Sequence, residues 1–310
     1  RRHTRSSTVS WADLVRSRGL GDVYKRQDKE QKNIRVFNFG YFLSLGKKQV
    51  DIMRNSKKIE TLLKSEDLSE ELKERYLFIL KVTKFCDDDL CLSGEETYSK
   101  IYDTGGEPIA WNLTVAPPFS LIPVRWRYPI VGSFPYIGFF DKESAEREEK
   151  NWIAKGYETF LRPVSAFSTL GWFKDPVYSP MLNYEKGILA EIIIHERIHN
   201  TIFLKNQMEF NESIAEFLGT ESAKYFLKKE YGEDSQEYRG YIDSISDQEL
   251  FFNFISECFD ELGKIYESGK TESEKLLGKR DKLIQLKERK GRVWQRGINR
   301  SSNKSCRLMF

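Results

Sequence analysis

The chain has 310 residues, of which 39% are hydrophobic and 31% are charged, and its formal net charge at pH 7 is +3. A chain of this length and composition can form a buried core. The sequence contains no run of 18 or more apolar residues, the length that a membrane-spanning helix needs. Residues 1–27 carry a net charge of +5 and residues 287–310 carry +7, which leaves −9 for residues 28–286. The acidic centre argues against a nucleic-acid-binding protein. The basic C-terminal run leaves one alternative open, a tail that binds nucleic acid or an anionic surface.

The two ends of the chain look foreign to the fold. Residues 9–27 look like a translated sequencing-adapter artefact, with a genuine basic tail as the alternative, so residues 1–27 are set aside as non-native or disordered. From about Lys287 the composition changes, and helical patterning is lost after Gly291. We therefore expect one domain over residues 28–290 and a disordered or aberrant tail over residues 291–310.

The first part of the domain, residues 28–95, is predicted to be helical. Apolar residues recur at helical spacing from Gly46 to about Phe85, with a break near Leu63 to Ser69. Ser69 is followed by two glutamates and is therefore a suitable N-cap for the second helix. Cys86 and Cys91 follow in an acidic stretch. Two alternatives remain for them, a disulfide between the two residues or two free thiols.

The middle part, residues 96–182, is predicted to form a small sheet. Ala110 to Ala116 is one expected strand, Arg125 to Phe140 contains one or two more, and Glu158 to Ser168 is another. Asp141 caps an intervening acidic helix that runs to Gly156.

The last part, residues 183–290, contains the most informative motif, HERIH at residues 195–199. It lies in a stretch from Tyr184 to Phe203 without proline and apolar almost all the way round, which predicts a buried helix. Histidines four residues apart then share one face and can bind a single Zn²⁺. Glu196 lies next to that face, where it can accept a proton from metal-bound water. The alternative is a core helix whose histidines hydrogen-bond to the backbone.

The third metal ligand is predicted to be a carboxylate, because the remaining histidine is His3 and the extended motif with a third histidine is broken. A second helix is expected to begin at Asn211, a favourable N-cap. Glu212 is the candidate ligand, Glu216 is the alternative, and Glu212 could also be simply a favourable acid in a first turn. Three small residues share its helical stripe and would permit close helix packing: Ala215, Gly219 and Ala223.

Further helices are predicted for Asp247 to Ser268 and for Glu272 to Lys290. Several separate stretches between about Gly40 and Gly269 also carry a family resemblance: WNLTVAP (111–117), PIVGSFPYIGFFD (129–141), SAFSTLGWFKDP (165–176), HERIH (195–199) and FNESIA (210–215). They resemble the bacterial "predicted aminopeptidase" family, HExxH zinc metallopeptidases of the gluzincin type.

The resemblance implies that one Zn²⁺ is bound by His195, His199 and Glu212. It also implies that Glu196 is the catalytic base and that the substrate is a peptide. Because relatives often carry an export or lipoprotein signal, it favours the bacterial cell envelope as the location. The fold is expected to be α+β: mainly helical and zincin-like, with a small mixed sheet before the motif helix.

Substrate contacts are predicted in the sheet. Ser168 and Gly171 would border a strand edge to which a peptide adds, and Tyr136 is a candidate donor to the reaction's oxyanion. An ordinary strand end and a packed aromatic ring are the alternatives. Two other functions remain open. One is a non-catalytic zinc-binding or scaffold protein, and the other is a zinc endopeptidase or amidohydrolase with the same metal centre.

Overall fold

The computed structural model describes residues 33–36, 39–94, 96–128, 132–164, 174–204 and 207–298. The α-helices are α1 (Phe39–Asn55), α2 (Ile59–Leu62), α3 (Glu70–Asp88), α4 (Lys142–Ala154), α5 (Lys186–Thr201), α6 (Met208–Tyr231), α7 (Gln236–Tyr266) and α8 (Glu272–Ile298). The strands are β1 (Asn33–Arg35), β2 (Lys57–Lys58), β3 (Lys100–Tyr102), β4 (Ala110–Ala116), β5 (Arg125–Tyr128), β6 (Gly132–Phe134), β7 (Ile137–Phe139), β8 (Glu158–Val164) and β9 (Val177–Tyr178). The fold is α+β and mainly helical, as the sequence predicted.

The strands form three small sheets rather than one. In the order β1-β5-β6, β1 runs parallel to β5 and β6 runs antiparallel to it. In the order β2-β3-β9, β2 runs antiparallel to β3, and β9 runs parallel to β3. The third sheet, β7-β4-β8, is antiparallel throughout. The stretch from Arg125 to Phe140 yields three strands, because β6 ends before Pro135, which cannot donate a ladder hydrogen bond.

Local sequence signals set several element ends where they were predicted. The Ser69 hydroxyl accepts a hydrogen bond from the backbone N–H of Leu72 at 3.3 Å and caps α3. The Asp141 carboxylate accepts one from the N–H of Ser144 at 2.7 Å and caps α4. Strand β4 has the predicted bounds.

Helices α1, α7 and α8 are longer than predicted. Helix α7 begins at Gln236 instead of at Asp247, because the Ser235 hydroxyl caps it by accepting a hydrogen bond from the backbone N–H of Tyr238 at 3.1 Å. Helix α1 begins at Phe39 instead of near Gly46, because Tyr41 is held by tertiary contacts: its hydroxyl donates to the Gly138 carbonyl at 2.8 Å. Helix α8 continues to Ile298 instead of ending near Lys290. Its last turns lack an apolar period, yet lysine, arginine and glutamine are good helix formers and sustain the helix.

The main hydrophobic core surrounds α5 with α3 on one side and α6 and α7 on others. Phe226 of α6 packs against Phe78 and Phe85 of α3, with ring centroids 5.9 and 5.2 Å apart. Gly187 allows α7 to approach α5, since a Cβ atom there would lie 2.5 Å from the ring of Tyr241. Helix α5 is thus enclosed by its neighbours. Within the described ranges, no helix has the length and apolarity needed to cross a membrane.

Candidate metal centre

The HERIH motif lies on α5, the most enclosed helix of the core. His195 and His199 are only 5% and 4% exposed, and their ring centroids are 4.7 Å apart. Ile194 and Ile198, which alternate with them along the chain, are also buried. The apolar stretch around the motif therefore forms the buried helix that its pattern predicted, and the two imidazoles lie one turn apart on the same face.

Helix α6 delivers the third candidate ligand, although it does not begin where the sequence suggested. It starts at Met208, and Asn211 is not its N-cap. The Asn211 side chain is instead committed to Leu204: its Oδ1 accepts from the Leu204 N–H and its Nδ2 donates to the Leu204 carbonyl, both at 2.8 Å. This two-way bond ties the end of the α5–α6 loop to the turn that carries Glu212.

Small side chains let α6 approach α5 closely. Ala215 and Ala223 are fully buried. Gly219 lies against α5, because a Cβ atom added there would be 3.4 Å from the Cβ of His195 and 3.6 Å from the carbonyl oxygen of Glu191. The spacing of these residues places the carboxylate of Glu212 over the imidazoles instead of in solvent, and its side chain is 22% exposed.

Three potential ligand atoms converge between the two helices. The Nε2 atoms of His195 and His199 are 3.0 Å apart, and Glu212 oxygens lie 3.4 Å from His199 Nε2 and 3.7 Å from His195 Nε2. Ligand atoms about 2.1 Å from a tetrahedral zinc would be about 3.4 Å from one another. The donor set and its spacing therefore fit one divalent ion.

Among the described residues, these three are the group of histidine, cysteine and acidic side chains placed to bind a metal ion. Glu216, the alternative ligand, is not part of this group. Glu196 is half-buried on the flank of α5 next to the histidine face. Both cysteines that could have formed a disulfide are free thiols; Cys86 is buried and Cys91 is exposed.

Among the predicted substrate residues, Tyr136 is the one that lies in a described part of the structure. Ser168 and Gly171 lie outside the described residues. Strand β8, which leads toward them, ends at Val164 and lies at an edge of its sheet. Tyr136 lies between β6 and β7, with its ring 5.9 Å from that of Phe134. This contact favours the packed-aromatic alternative for Tyr136.

Two residues near the motif were missed by the sequence analysis. Arg197 is completely buried, and a charged residue within an apolar helix should have indicated an ion-pair partner, which is the partly exposed Asp87 of α3. Tyr98 is buried with a left-handed backbone, φ 64°. Burial is the largest cause that raises the pKa of its phenol, and the negative charge of Glu196 is the next. No sequence pattern indicated that Tyr98 would lie near Glu196.

Comparison with known proteins gives one match. The model of a family described as "Putative aminopeptidase" matches residues 40–303 of the chain. No curated protein and no solved structure matches it.

Proposed function

The chain belongs to the "Putative aminopeptidase" family, whose model spans most of its length, and from this premise we propose that it hydrolyses peptide bonds with one bound Zn²⁺. The ion would be held by His195, His199 and Glu212. The observation that carries the proposal is the convergence of their three ligand atoms, all within 4.8 Å of one another, between α5 and the face of α6 that packs against it.

The donor set favours zinc in a catalytic role. Two imidazoles and one carboxylate are typical of zinc hydrolases, whereas structural zinc sites are usually closed by four protein ligands. When bound, Zn²⁺ supplies a Lewis acid that polarises the scissile carbonyl and lowers the pKa of water to about 7. A scaffold protein would have no use for a half-buried glutamate beside the ligands, so the position of Glu196 favours an enzyme.

The residues of the chain supply the proton transfers. The carboxylate of Glu196 accepts a proton from the attacking water and then passes a proton to the leaving amine. His195 and His199 contribute by being held rigidly, since both lie in the core on a single helix. A rigid centre limits the reorganisation that would otherwise accompany the reaction.

Replacing the base tests the proposal directly. Purified wild-type protein should bind about one equivalent of Zn²⁺ and cleave peptides in a library assay. Glu196→Gln should bind the same amount of zinc, measured by elemental analysis, while kcat falls by about 10²–10⁴-fold because general-base catalysis is lost. His199→Ala should lose both the metal and the activity. Near-normal hydrolysis by Glu196→Gln would refute the assignment of the base.

The position of cleavage separates an aminopeptidase from an endopeptidase. Peptides with a free N-terminus and their N-acetylated counterparts should be compared by mass spectrometry. An aminopeptidase releases the first residue of the free peptide and leaves the acetylated peptide intact. Internal cleavage of the acetylated peptide would instead identify an endopeptidase, and zinc binding without cleavage of either would identify a non-catalytic zinc protein.

A further inference from the structure

Arg197 is completely buried, although it stands between the two histidines of the motif. It points away from the histidine face, because positions two apart on a helix differ by about 200°. Its Nε donates to the carbonyl oxygen of Ser93 at 2.8 Å, and its Nη2 donates to that of Leu92 at 3.0 Å. Nη2 also forms an ion pair with Asp87 at the end of α3. The planar guanidinium therefore binds three groups in one short stretch of chain: the carboxylate of Asp87 and the carbonyl oxygens of Leu92 and Ser93.

The next turn of α5 contacts the same stretch. Asn200 Nδ2 donates to the hydroxyl of Thr97 at 3.1 Å. The backbone N–H of Ser93 donates to the hydroxyl of Thr201 at 2.8 Å. The contacted stretch, called the α3–β3 connection below, comprises residues 92–94 and 96–98. Arg197, Asn200 and Thr201 hold this connection against the side of α5 opposite the two histidines.

The α3–β3 connection covers the flank of α5 that carries the proposed base, because Thr97 accepts a hydrogen bond from Asn200, one turn from Glu196. Glu196 and Asn200 lie one turn apart on the flank of α5 that the connection covers. The negative charge of Glu196 raises the pKa of the Tyr98 phenol, in addition to the larger effect of burial, so the phenol stays protonated. The backbone of Tyr98 is left-handed, and its N–H donates to the Asp175 carbonyl at 2.9 Å. Such a conformation is strained for a bulky residue and persists only where surrounding contacts impose it.

We propose that Arg197 is a positioning residue for the reaction: by holding the α3–β3 connection against the flank of α5 that carries Asn200 and Glu196, it fixes the surroundings of the Glu196 carboxylate and with them its working orientation. This inference rests on the proposed function. Arg197 acts through the connection and reaches neither the histidine face nor the substrate. A displacement of about 1 Å at a reacting group can lower a rate by about 10²-fold, so loss of the anchor should affect kcat.

Arg197→Lys is the first test. Lysine keeps a positive charge opposite Asp87 but lacks the fork that binds two carbonyls at once. We expect about one equivalent of Zn²⁺, a KM within about twofold of wild type, and a kcat lower by about 10–100-fold, the range found when supporting contacts of metal centres are removed. Hydrogen–deuterium exchange of the Ser93 amide should become faster, since its bond to Thr201 would weaken.

Gly94→Ala disturbs the same connection without touching a buried charge, and it decides the matter if Arg197→Lys does not fold. Gly94 has φ +92°, and a Cβ atom there would lie 2.5 Å from Asn200 Nδ2. The matched control is Gly106→Ala, which has a similar φ of +85° but no atom within 4 Å of the added Cβ. Gly94→Ala should reproduce the loss of kcat with zinc retained, and Gly106→Ala should remain close to wild type.

The outcomes are distinguishable. A lower kcat with zinc and KM retained, found in Gly94→Ala but not in Gly106→Ala, supports the positioning role. Unchanged kcat despite faster exchange in the connection overturns it. Loss of zinc in parallel with kcat also overturns it, because Arg197 would then serve only the stability of the helix. A wild-type protein that binds zinc and cleaves no peptide contradicts the proposed function itself.

Discussion

Gly219 of α6 lies directly against His195 of α5, so close that an added Cβ atom would be 3.4 Å from the Cβ of the histidine. This separation is an ordinary van der Waals contact, so one methyl group fits and a branched side chain does not. The contact lies two turns from Glu212 on the same helix stripe. The distance between the two helices at Gly219 therefore determines whether the carboxylate reaches the imidazoles.

Substitutions at Gly219 should separate helix stability from metal binding. Gly219→Ala should bind zinc within about threefold of wild type, because a methyl group fits at this separation. Alanine should also stabilise the helix by up to about 1 kcal/mol relative to glycine. Gly219→Val should push α6 away and weaken zinc binding by about 10–100-fold, the range for disturbed supporting contacts. Competition with a chelator of known zinc affinity measures both. Equal affinities for the two variants would contradict the close-approach argument.

Glu212 and Glu216 form a matched pair for testing the third ligand, because they lie one turn apart on the same helix. Glu212→Gln should remove a charged ligand and weaken zinc binding by at least about 10-fold, since a neutral amide is a poor zinc ligand. Glu216→Gln changes the same chemistry outside the group of converging atoms and should leave zinc affinity nearly unchanged. Isothermal titration with Zn²⁺ distinguishes them. The reverse order of effects would transfer the ligand role to Glu216.

Most of the candidate metal centre, that is, the convergence of His195, His199 and Glu212, could be predicted from the sequence because its signals are local. Two histidines at helical spacing share a face wherever the helix packs, and the small residues after Glu212 indicate a close helix contact on one stripe. The capping roles of Ser69 and Asp141 are similarly local, and both are confirmed.

The errors arose where distant contacts decide the structure. Asn211 resembles an N-cap, but its side chain binds Leu204 across the loop, and α6 begins one turn earlier. Tyr98 approaches Glu196 only because the chain turns back along α5, a path that no periodic pattern encodes. Hydrogen bonds between residues about 100 positions apart in sequence, such as that from Arg197 to the carbonyl oxygen of Ser93, likewise follow from tertiary packing.

The free cysteines should differ sharply in reactivity. Burial raises the pKa of Cys86 to about 12, so its thiol is protonated and inert at pH 8, well below that value. Cys91 is exposed and should be alkylated by iodoacetamide under the same conditions. Mass spectrometry of tryptic peptides should therefore find label on Cys91 and none on Cys86 in the folded protein, and label on both in urea. Protection of both cysteines until a reductant is added would instead indicate the disulfide between them.

Asn211 should contribute measurably to stability, because its amide is 1% exposed and satisfies both backbone groups of Leu204. Asn211→Ala would remove both hydrogen bonds to the backbone of Leu204, at a cost of about 1–3 kcal/mol for each group that water cannot reach. Asn55→Ala is a suitable control: Asn55 bonds to Asp51 in an exposed position, and its loss should cost less than about 0.5 kcal/mol.

Urea denaturation with a chelator present measures this difference in the free energy of unfolding, because bound zinc would otherwise add its own stabilisation to the folded state. Asn211→Ala should move the midpoint to lower urea concentration with an unchanged slope. Zinc affinity should also fall, since the turn that carries Asn211 and Glu212 is no longer tied to Leu204 of the preceding loop. A shift no larger than that of Asn55→Ala would mean that solvent replaces both hydrogen bonds, and the loop would not be a support of the metal centre.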